Sequence, residues 1–310
     1  MERIGGALAL ATLGDEHPSA RPACAGLLCA YLRTVPDSWD AEAHTMPRVE
    51  SDVRDEITAL IAQRLRPGTG DEWLPVHVDF ARAIFGPNAD LSRCEFILAC
   101  TFTSAVFTGT ANFDRARFSA PDYGPESWAA TGTAETPTAQ NATPTPHPAE
   151  LEVVRHSFQD ATFVGKASFF RAMFDGPATF VGSRFHEDAI FSRATCSSDL
   201  LLLDAEIPRL DVTLLVVGGD LHLGWAKIAG IRGGRLTVNG ELSLAYTEVR
   251  LGCFLPRSRI GKLRVDRATF GALLDLSDSR IGAWSAEGTT FHGEVYCPGT
   301  GFTADAFTSQ

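Results

Sequence analysis

The sequence predicts a mainly β fold, a β-helix of short stacked strands that follows a helical N-terminal segment. Three observations support this prediction: a phenylalanine recurs at alternating intervals of five and six residues, a small side chain lies two positions before it, and the C-terminal third repeats every 21 residues. Two such 11-residue units make 22 residues, so both periods suit one turn of a coil whose strands pair with the turn below.

Residues 1–73 are predicted to form a helical cap on this coil. The apolar stripe of the longest predicted helix consists of Val53, Ile57, Leu60, Ile61 and Leu65. Ser51 or Asp52 would be its N-cap, and two shorter helices are expected at 4–13 and 20–33. Helices this short are not stable alone, so they should pack together and cover the open edge of the first turn.

The phenylalanine repeat is predicted over 74–120 and again over 151–198. In the second stretch its central residues are Phe158, Phe163, Phe169, Phe174, Phe180, Phe185 and Phe191. Side chains alternate along a strand, so these rings and the small residues before them would point inward together. Cys94, Cys100 and Cys196 occupy places where other repeats have alanine or phenylalanine, which predicts buried packing thiols without a metal or redox role.

The two stretches are separated by residues 121–150, whose six prolines, six threonines and six alanines predict a disordered loop. From 199 to 310 the 21-residue period takes over. A glycine recurs at one place in it, at Gly219, Gly240, Gly261 and Gly282. This recurrence predicts a tight corner with positive φ. About nine turns are expected, and at ~4.8 Å per turn the rod would be roughly 40 Å long.

Composition narrows the range of functions. The net charge of −11 argues against nonspecific nucleic-acid binding, which depends on an excess of lysine and arginine. No segment reaches the ~20 apolar residues of a membrane-spanning helix. The seven cysteines include no CxxC pair, which favours a reducing compartment and predicts a cytoplasmic protein.

Motifs for catalysis are not found in the sequence, and no catalytic residue, cofactor or metal is predicted. His222 and His292 fall at different places of the 21-residue unit, so they would not meet on adjacent turns. Trp284 is expected in the core, whereas Trp225 is a candidate interface residue. A basic cluster is the candidate interaction face, although a solvated surface is an alternative; it consists of Arg250, Arg257, Arg259, Lys262, Arg264 and Arg267.

Four segments of the chain carry a family resemblance: ADLSRCEF, FDRARF, FQDATFVGKASF and FSRAT. They resemble the pentapeptide-repeat proteins, whose consensus is A(D/N)Lxx with Leu or Phe at its centre. The Phe-rich form is similar to a variant common in actinobacteria, and the N-terminal segment looks like the short helical segment that often precedes such repeats. The resemblance covers about 80–118 and 153–196 and weakens over 199–303. It implies a right-handed quadrilateral β-helix, usually without enzymatic activity.

The leading functional hypothesis is a non-catalytic scaffold that binds a protein partner of unknown identity, and a homodimer through the C-terminal turn is a further expectation. The resemblance offers an alternative, because some pentapeptide-repeat proteins are similar to duplex DNA in shape and charge and bind DNA gyrase. That role needs a strongly negative rod, whereas residues 74–310 hold 20 basic and 26 acidic side chains. An enzyme with a site on the flank of the solenoid is the third hypothesis.

Overall fold

The structure, a computed structural model, describes residues 2–119 and 156–301. It is mainly β, with three N-terminal helices followed by a coil of short strands. The helices are α1 (Glu2–Glu16), α2 (Arg21–Arg33) and α3 (Arg48–Leu65), and a 3₁₀ turn covers Pro18–Ala20. The segment 121–150, for which a disordered loop is predicted, lies outside the described residues.

The strands of the coil are β1 (Ile84–Phe85), β2 (Asn88–Asp90), β3 (Glu95–Phe96), β4 (Cys100–Thr101), β5 (Val106–Phe107), β6 (Thr110–Asn112), β7 (Arg117–Phe118), β8 (His156–Ser157), β9 (Thr162–Phe163), β10 (Ala167–Ser168), β11 (Met173–Phe174), β12 (Ala178–Thr179), β13 (Arg184–Phe185), β14 (Asp188–Ile190), β15 (Thr195–Cys196), β16 (Leu200–Leu201), β17 (Glu206–Asp211), β18 (Val216–Val217), β19 (Leu221–His222), β20 (Lys227–Arg232), β21 (Thr237–Ser243), β22 (Glu248–Phe254), β23 (Arg259–Arg264), β24 (Thr269–Phe270), β25 (Leu274–Asp275), β26 (Arg280–Ser285), β27 (Thr290–Phe291) and β28 (Val295–Tyr296).

Each turn of the coil has four short sides, and every side pairs in parallel with the same side of the next turn. The inward residues therefore form four stacked columns. Column 1 is Phe85, Phe107, Phe163, Phe185, Ile207, Ile228, Val249, Phe270 and Phe291. Column 2 is Ala89, Ala111, Ala167, Ala189, Leu210, Ile231, Cys253, Leu274 and Val295. Column 3 is Phe96, Phe118, Phe174, Cys196, Val217, Val238, Ile260 and Ile281. Column 4 is Cys100, His156, Ala178, Leu200, Leu221, Leu242, Leu263 and Trp284.

The nine levels of column 1 correspond to about eight turns between its first and last residue. At a strand spacing of ~4.8 Å, this gives a length of roughly 40 Å, as the sequence predicts. Columns 1 and 2 belong to one 15-stranded sheet, and columns 3 and 4 to a second sheet of 13 strands. The predicted β-helix with a helical cap is thus confirmed.

Stacked aromatic rings fill the first half of the core. Phe85 lies 4.5 Å from Phe107, centroid to centroid, with the rings only 3° from parallel. Between the columns a second set of rings fills the corners, such as Phe102 and Phe158 at 4.7 Å. The predicted packing role of the cysteines is confirmed, because all seven thiols are buried and none is in a disulfide. Burial raises the pKa of Cys94 to about 12, so this thiol stays protonated.

The later turns of the coil are shorter than the earlier ones because one side of each turn loses a residue. From Phe185 to Ala189, column 1 to column 2, there are four steps, whereas from Ile207 to Leu210 there are three. Further along the rod the shortened side is on the other sheet, between columns 3 and 4. There Val238 and Leu242 are four residues apart, and the next turn spans the same distance in three. Register shifts mark the place where the side between columns 1 and 2 regains its fourth step and the place where the side between columns 3 and 4 loses it, and the columns continue without a break.

The recurring glycines occupy this same region, but the prediction of positive φ is wrong for all four. They are needed because the coil passes very close to the turn below. A Cβ on Gly240 would lie 2.9 Å from the carbonyl oxygen of Gly219, and closer still to the carboxylate of Asp220. That carboxylate accepts a hydrogen bond from the amide of Glu241 at 2.6 Å, so the missing side chain leaves room for a contact between turns.

We expect Gly240→Ala to lower the free energy of unfolding by about 1–3 kcal/mol, because the new methyl group must displace backbone or the Asp220 carboxylate. Gly234→Ala is the matched control, since the nearest atom to its added Cβ is Pro256 Cγ at 3.8 Å. This control should be neutral or stabilising by about 0.4–1 kcal/mol. Urea denaturation of both variants would measure the difference, and equal stabilities would contradict the close-approach explanation.

The helical cap covers the first turn of the coil. Helix α3 contacts β1 and β2, and α1 packs against both α2 and α3. Helix α3 begins at Arg48 with Pro47 as its N-cap. The prediction of Ser51 or Asp52 as N-cap is therefore wrong, because both residues lie inside the first turns of this helix. No helix in the described ranges is both long and apolar enough to cross a bilayer.

Candidate functional site

The predicted basic cluster does not form one face, because its members are distributed around a single turn. Arg250 is in β22, on the sheet of columns 1 and 2. Arg259, Lys262 and Arg264 are in β23, on the opposite sheet. Arg257 and Arg267 have positive φ and lie at the two corners where the sheets meet. Sequence spacing brings these residues close along the chain, but the coil directs them to different sides.

Acidic side chains neutralise part of this cluster. Lys262 Nζ lies 2.8 Å from Glu241 Oε2. Arg264 Nε donates to Asp266 Oδ2 at 2.8 Å, and this hydrogen bond raises the pKa of Arg264. Surface pairs of this kind are typically worth less than about 1 kcal/mol, yet they cancel the local field. The cluster is therefore a weak candidate for an anionic partner.

Two rows of outward corner residues have left-handed backbone, with φ between 54° and 74°. Edge A, which follows column 4, consists of Arg82, Ser104, Asp160, Gly182, Asp204, Trp225, Tyr246, Arg267 and Gly288. Edge B, which follows column 2, consists of Arg93, Arg115, Arg171, Arg193, Leu214, Arg235, Arg257, Asp278 and Gly299. The two edges lie on opposite sides of the rod, where one sheet gives way to the other.

Edge B carries an unusual charge. Six of its nine residues are arginine, and we call this set, Arg93, Arg115, Arg171, Arg193, Arg235 and Arg257, the arginine column. Left-handed backbone favours glycine, asparagine and aspartate, so backbone geometry does not explain the choice of arginine. Edge A has the same backbone geometry and only two arginines, Arg82 and Arg267. The charge of edge B is thus a property of its side chains.

Backbone hydrogen bonds hold the arginine column in line. The amide of Arg115 donates to the carbonyl oxygen of Phe170 at 2.8 Å, and the amide of Arg171 donates to Ser192 at 3.1 Å. Each corner is thereby stacked on the corner of the next turn, ~4.8 Å away. From Arg93 to Arg257 there are six such steps, which gives a row roughly 29 Å long.

The guanidinium groups of this column are largely without ion-pair partners in the described part of the chain. All six side chains are exposed, and among the described residues only Arg257 has a carboxylate within 4 Å, that of Asp278 at 3.7 Å. Neighbouring carboxylates have other partners: Asp90 pairs with Arg66, and Asp114 accepts a hydrogen bond from Ser168. Like charges at ~4.8 Å repel by roughly 1 kcal/mol in water, so the column favours a bound anion.

The sequence contains a signal for this column that differs from the clustering on which the predicted basic face is based. An arginine lies two residues after the central residue of every fourth repeat, once per turn, as in Arg93 after Leu91 and Arg193 after Phe191. The two corner rows alternate along the chain, so the spacing of a full turn must be read separately for each row. Of the predicted cluster, only Arg257 belongs to this column.

Two concave regions stand out on the described surface. A groove of about 420 Å³ on the sheet of columns 1 and 2 is lined by Arg209, Gly230, Arg232, Leu251 and Phe254, among others. A pocket of about 720 Å³ at the cap is lined by residues that include Tyr31 and Glu50. The Glu50 carboxylate accepts hydrogen bonds from Arg3 and Arg54, and Tyr31 lies within 3.3 Å of it, so its oxygens already have partners.

Residues 2–119 and 156–301 contain no group of three or more His, Cys, Asp or Glu side chains placed to hold a metal ion. One buried Cys–His pair lies in the core, with Cys100 Sγ 3.3 Å from His156 Nδ1. Burial raises the pKa of Cys100, which keeps it a thiol. The other ring nitrogen of His156 is 2.9 Å from the carbonyl oxygen of Ser119.

Comparisons with known proteins give no relative: no family model, curated protein or solved structure matches this chain.

Proposed function

We propose that this protein is a non-catalytic scaffold, and that its arginine column binds an acidic segment of a partner protein. The observation that supports this proposal is the row of six exposed arginines on one edge of a rigid rod. A guanidinium is always charged and can form two parallel hydrogen bonds to one carboxylate. Stacked turns fix the spacing of these groups in advance, so binding does not require the scaffold to order itself.

The flank of the column favours a protein partner over a nucleic acid. Met173 and Val216 lie beside it, and about 40% of each side chain is exposed. Such apolar side chains suit a peptide that carries apolar as well as acidic residues, whereas a phosphate backbone has no apolar group to pack against them. The net charge of −11 further disfavours a long polyanion, which would have to run over the remaining acidic surface.

The experiment compares wild type with the triple variant Arg115→Glu, Arg171→Glu and Arg193→Glu. A matched control reverses three exposed arginines away from edge B, Arg82, Arg184 and Arg250. The probe is a fluorescent oligoglutamate peptide at roughly 50 mM salt, where screening is moderate. We expect the triple variant to bind about tenfold or more weakly, since three charge-assisted contacts are lost, while the control keeps its affinity.

Equal losses in the two triple variants would contradict the proposal, because they would reflect net charge alone. A wild type that does not bind oligoglutamate would also contradict it. Tighter binding of single-stranded DNA of equal charge would assign the column to nucleic acid instead. Circular dichroism checks that each variant keeps its fold.

The other hypotheses remain proposals with less support. The DNA-mimic hypothesis requires a negative edge, and edge B has the opposite sign; inhibition of gyrase supercoiling by a moderate excess of this protein would favour it. An enzymatic site has its nearest candidate in the 420 Å³ groove, where Arg209 is paired with Asp188 at 2.5 Å. Three further proposals have one supporting observation each. The Phe-rich coil supports membership of the pentapeptide-repeat family, and the free thiols support a cytoplasmic location. The strand β26, which pairs on one side only among the described residues, supports a homodimer through the last turn.

A further inference from the structure

Edge A, opposite the arginine column, carries an exposed aromatic stack. The rings of Trp225 and Tyr246 lie on successive turns, with centroids 5.3 Å apart and planes within 6° of parallel. Both residues have left-handed backbone, with φ of 58° and 61°. A bulky side chain is uncommon in this conformation and is disfavoured by sterics. Yet 48% of Trp225 and 42% of Tyr246 remain exposed, so burial does not account for the pair.

The next residue of edge A completes one end of this stack with a cation. Arg267 lies over the ring of Tyr246, its guanidinium carbon 5.5 Å from the ring centroid. Its Nη1 also donates a hydrogen bond to the Tyr246 hydroxyl at 3.1 Å. Guanidinium groups are attracted to aromatic faces, and Trp binds them best. The protein thus contains its own example of an arginine bound to this aromatic stack.

At the other end of the stack, no second aromatic ring or cation lies over Trp225 among the described residues, and 48% of this residue is exposed. Tyr246 covers one face of the Trp225 indole, so the second face is on the side of the preceding turn, where the edge residue is Asp204. Asp204 is exposed, and its carboxylate has no hydrogen-bond or ion-pair partner among the described residues. One turn, ~4.8 Å, separates its backbone from that of Trp225. An open indole face and an unpaired carboxylate are therefore adjacent.

We propose that Trp225 and Asp204 form a binding site for an arginine side chain of a protein partner. The guanidinium stacks on the free indole face, as Arg267 does on Tyr246, and donates hydrogen bonds to the Asp204 carboxylate. A guanidinium donates charge-assisted hydrogen bonds from its edge and stacks on aromatic rings through its plane. A carboxylate beside an aromatic face can therefore satisfy both interactions at once. This site is independent of the arginine column and of the acidic partner assigned to it.

The experiment uses the intact protein and two short peptides that differ in one group. One contains arginine, and the other contains citrulline, which has the same shape with a neutral urea in place of the guanidinium. Binding is followed by NMR through the shift of the Trp225 indole N–H signal, assigned by its loss in Trp225→Phe. We expect the arginine peptide to bind about fivefold or more tightly than the citrulline peptide, since only the guanidinium makes a cation–π contact.

The decisive variant is Asp204→Asn, because asparagine tolerates left-handed backbone and keeps the corner intact. We expect it to weaken the arginine peptide about fivefold or more through loss of the charge-assisted hydrogen bonds. Asp160→Asn is the matched control on the same edge, two turns away, and should leave the affinity unchanged.

Equal affinities for the two peptides would overturn the proposal, because recognition would then not depend on the cation. An Asp204→Asn protein that binds as well as wild type would overturn the role of the carboxylate. An equal loss of affinity in the Asp160→Asn and Asp204→Asn proteins would indicate a general effect of net charge, which also contradicts a specific site.

Discussion

Replacement of Phe158 by alanine is expected to lower the free energy of unfolding by about 3–5 kcal/mol, because it opens a cavity in a fully packed core. The ring is 0% exposed. It stacks on Phe102 at 4.7 Å on one side and on Phe180 at 4.6 Å on the other. Edge-to-face contacts with Phe113 and Phe169 surround it. The stacked turns cannot close the gap without breaking their ladders.

Phe254→Ala provides the matched control, since it removes the same ring from the outside of the coil. Phe254 is 43% exposed, so its loss should cost less than about 1 kcal/mol. Urea denaturation followed by circular dichroism would measure both variants. Similar losses for the two would mean that the core is loosely packed and would contradict the column arrangement. A coil can also unfold turn by turn, so a broader transition in Phe158→Ala would be consistent with the arrangement.

The second large effect is expected for Arg54→Ala in the helical cap. The Arg54 side chain is fully buried, and its Nε donates to Glu50 Oε1 at 2.8 Å. Its terminal nitrogens donate to three carbonyl oxygens, those of Leu32 and Ile84 at 2.8 Å and that of Thr34 at 2.6 Å. Helix α3 is thereby joined both to the end of α2 and to β1 of the first turn.

Removal of this guanidinium leaves three carbonyl groups and part of a carboxylate without partners, so we expect a loss of about 3–5 kcal/mol. The effect should be local. The amide of Val106, which donates to Ala83 in the first turn, should exchange its hydrogen faster, whereas that of Gly271 near the other end should not. Arg48→Ala is the control, because this side chain of the same helix is 93% exposed. Unchanged exchange at Val106 would show that the cap does not protect the first turn.

Much of the fold follows from the sequence because the coil repeats its inward residues. The positions of Phe158 to Phe191 predict the core, and the structure buries each of them. The place of Trp284 beside Leu263 in column 4 also follows from the period. The function of the recurring glycines does not follow from the sequence, because a close approach between turns and a positive φ both select glycine at a fixed place of the repeat.

The candidate sites were harder to predict. A basic cluster in the sequence, such as Lys262 and Arg264, suggests a face only if its residues point the same way, and a coil with a corner about every five residues turns them apart. The arginine column is the reverse case, because its members are at least one full turn apart in sequence. Edge A shows a third difficulty: Trp225 and Tyr246 belong to successive turns, and their stacking follows from their shared place at a corner of the coil, which the sequence does not display.

The described coil keeps its register between Ser119 and His156, the two residues on either side of 120–155. Phe118 is in column 3 and His156 is in column 4 of the same turn, where Phe174 and Ala178 occupy the corresponding places one level further along. The step from Phe174 to Ala178 covers this side in four residues, whereas the step from Phe118 to His156 includes the whole segment 121–150. The register of the coil is thus set by the side chains that pack inside it and does not depend on the number of residues between two sides. We therefore expect that a peptide or a small domain inserted between Ser119 and His156 would leave the coil on either side unchanged.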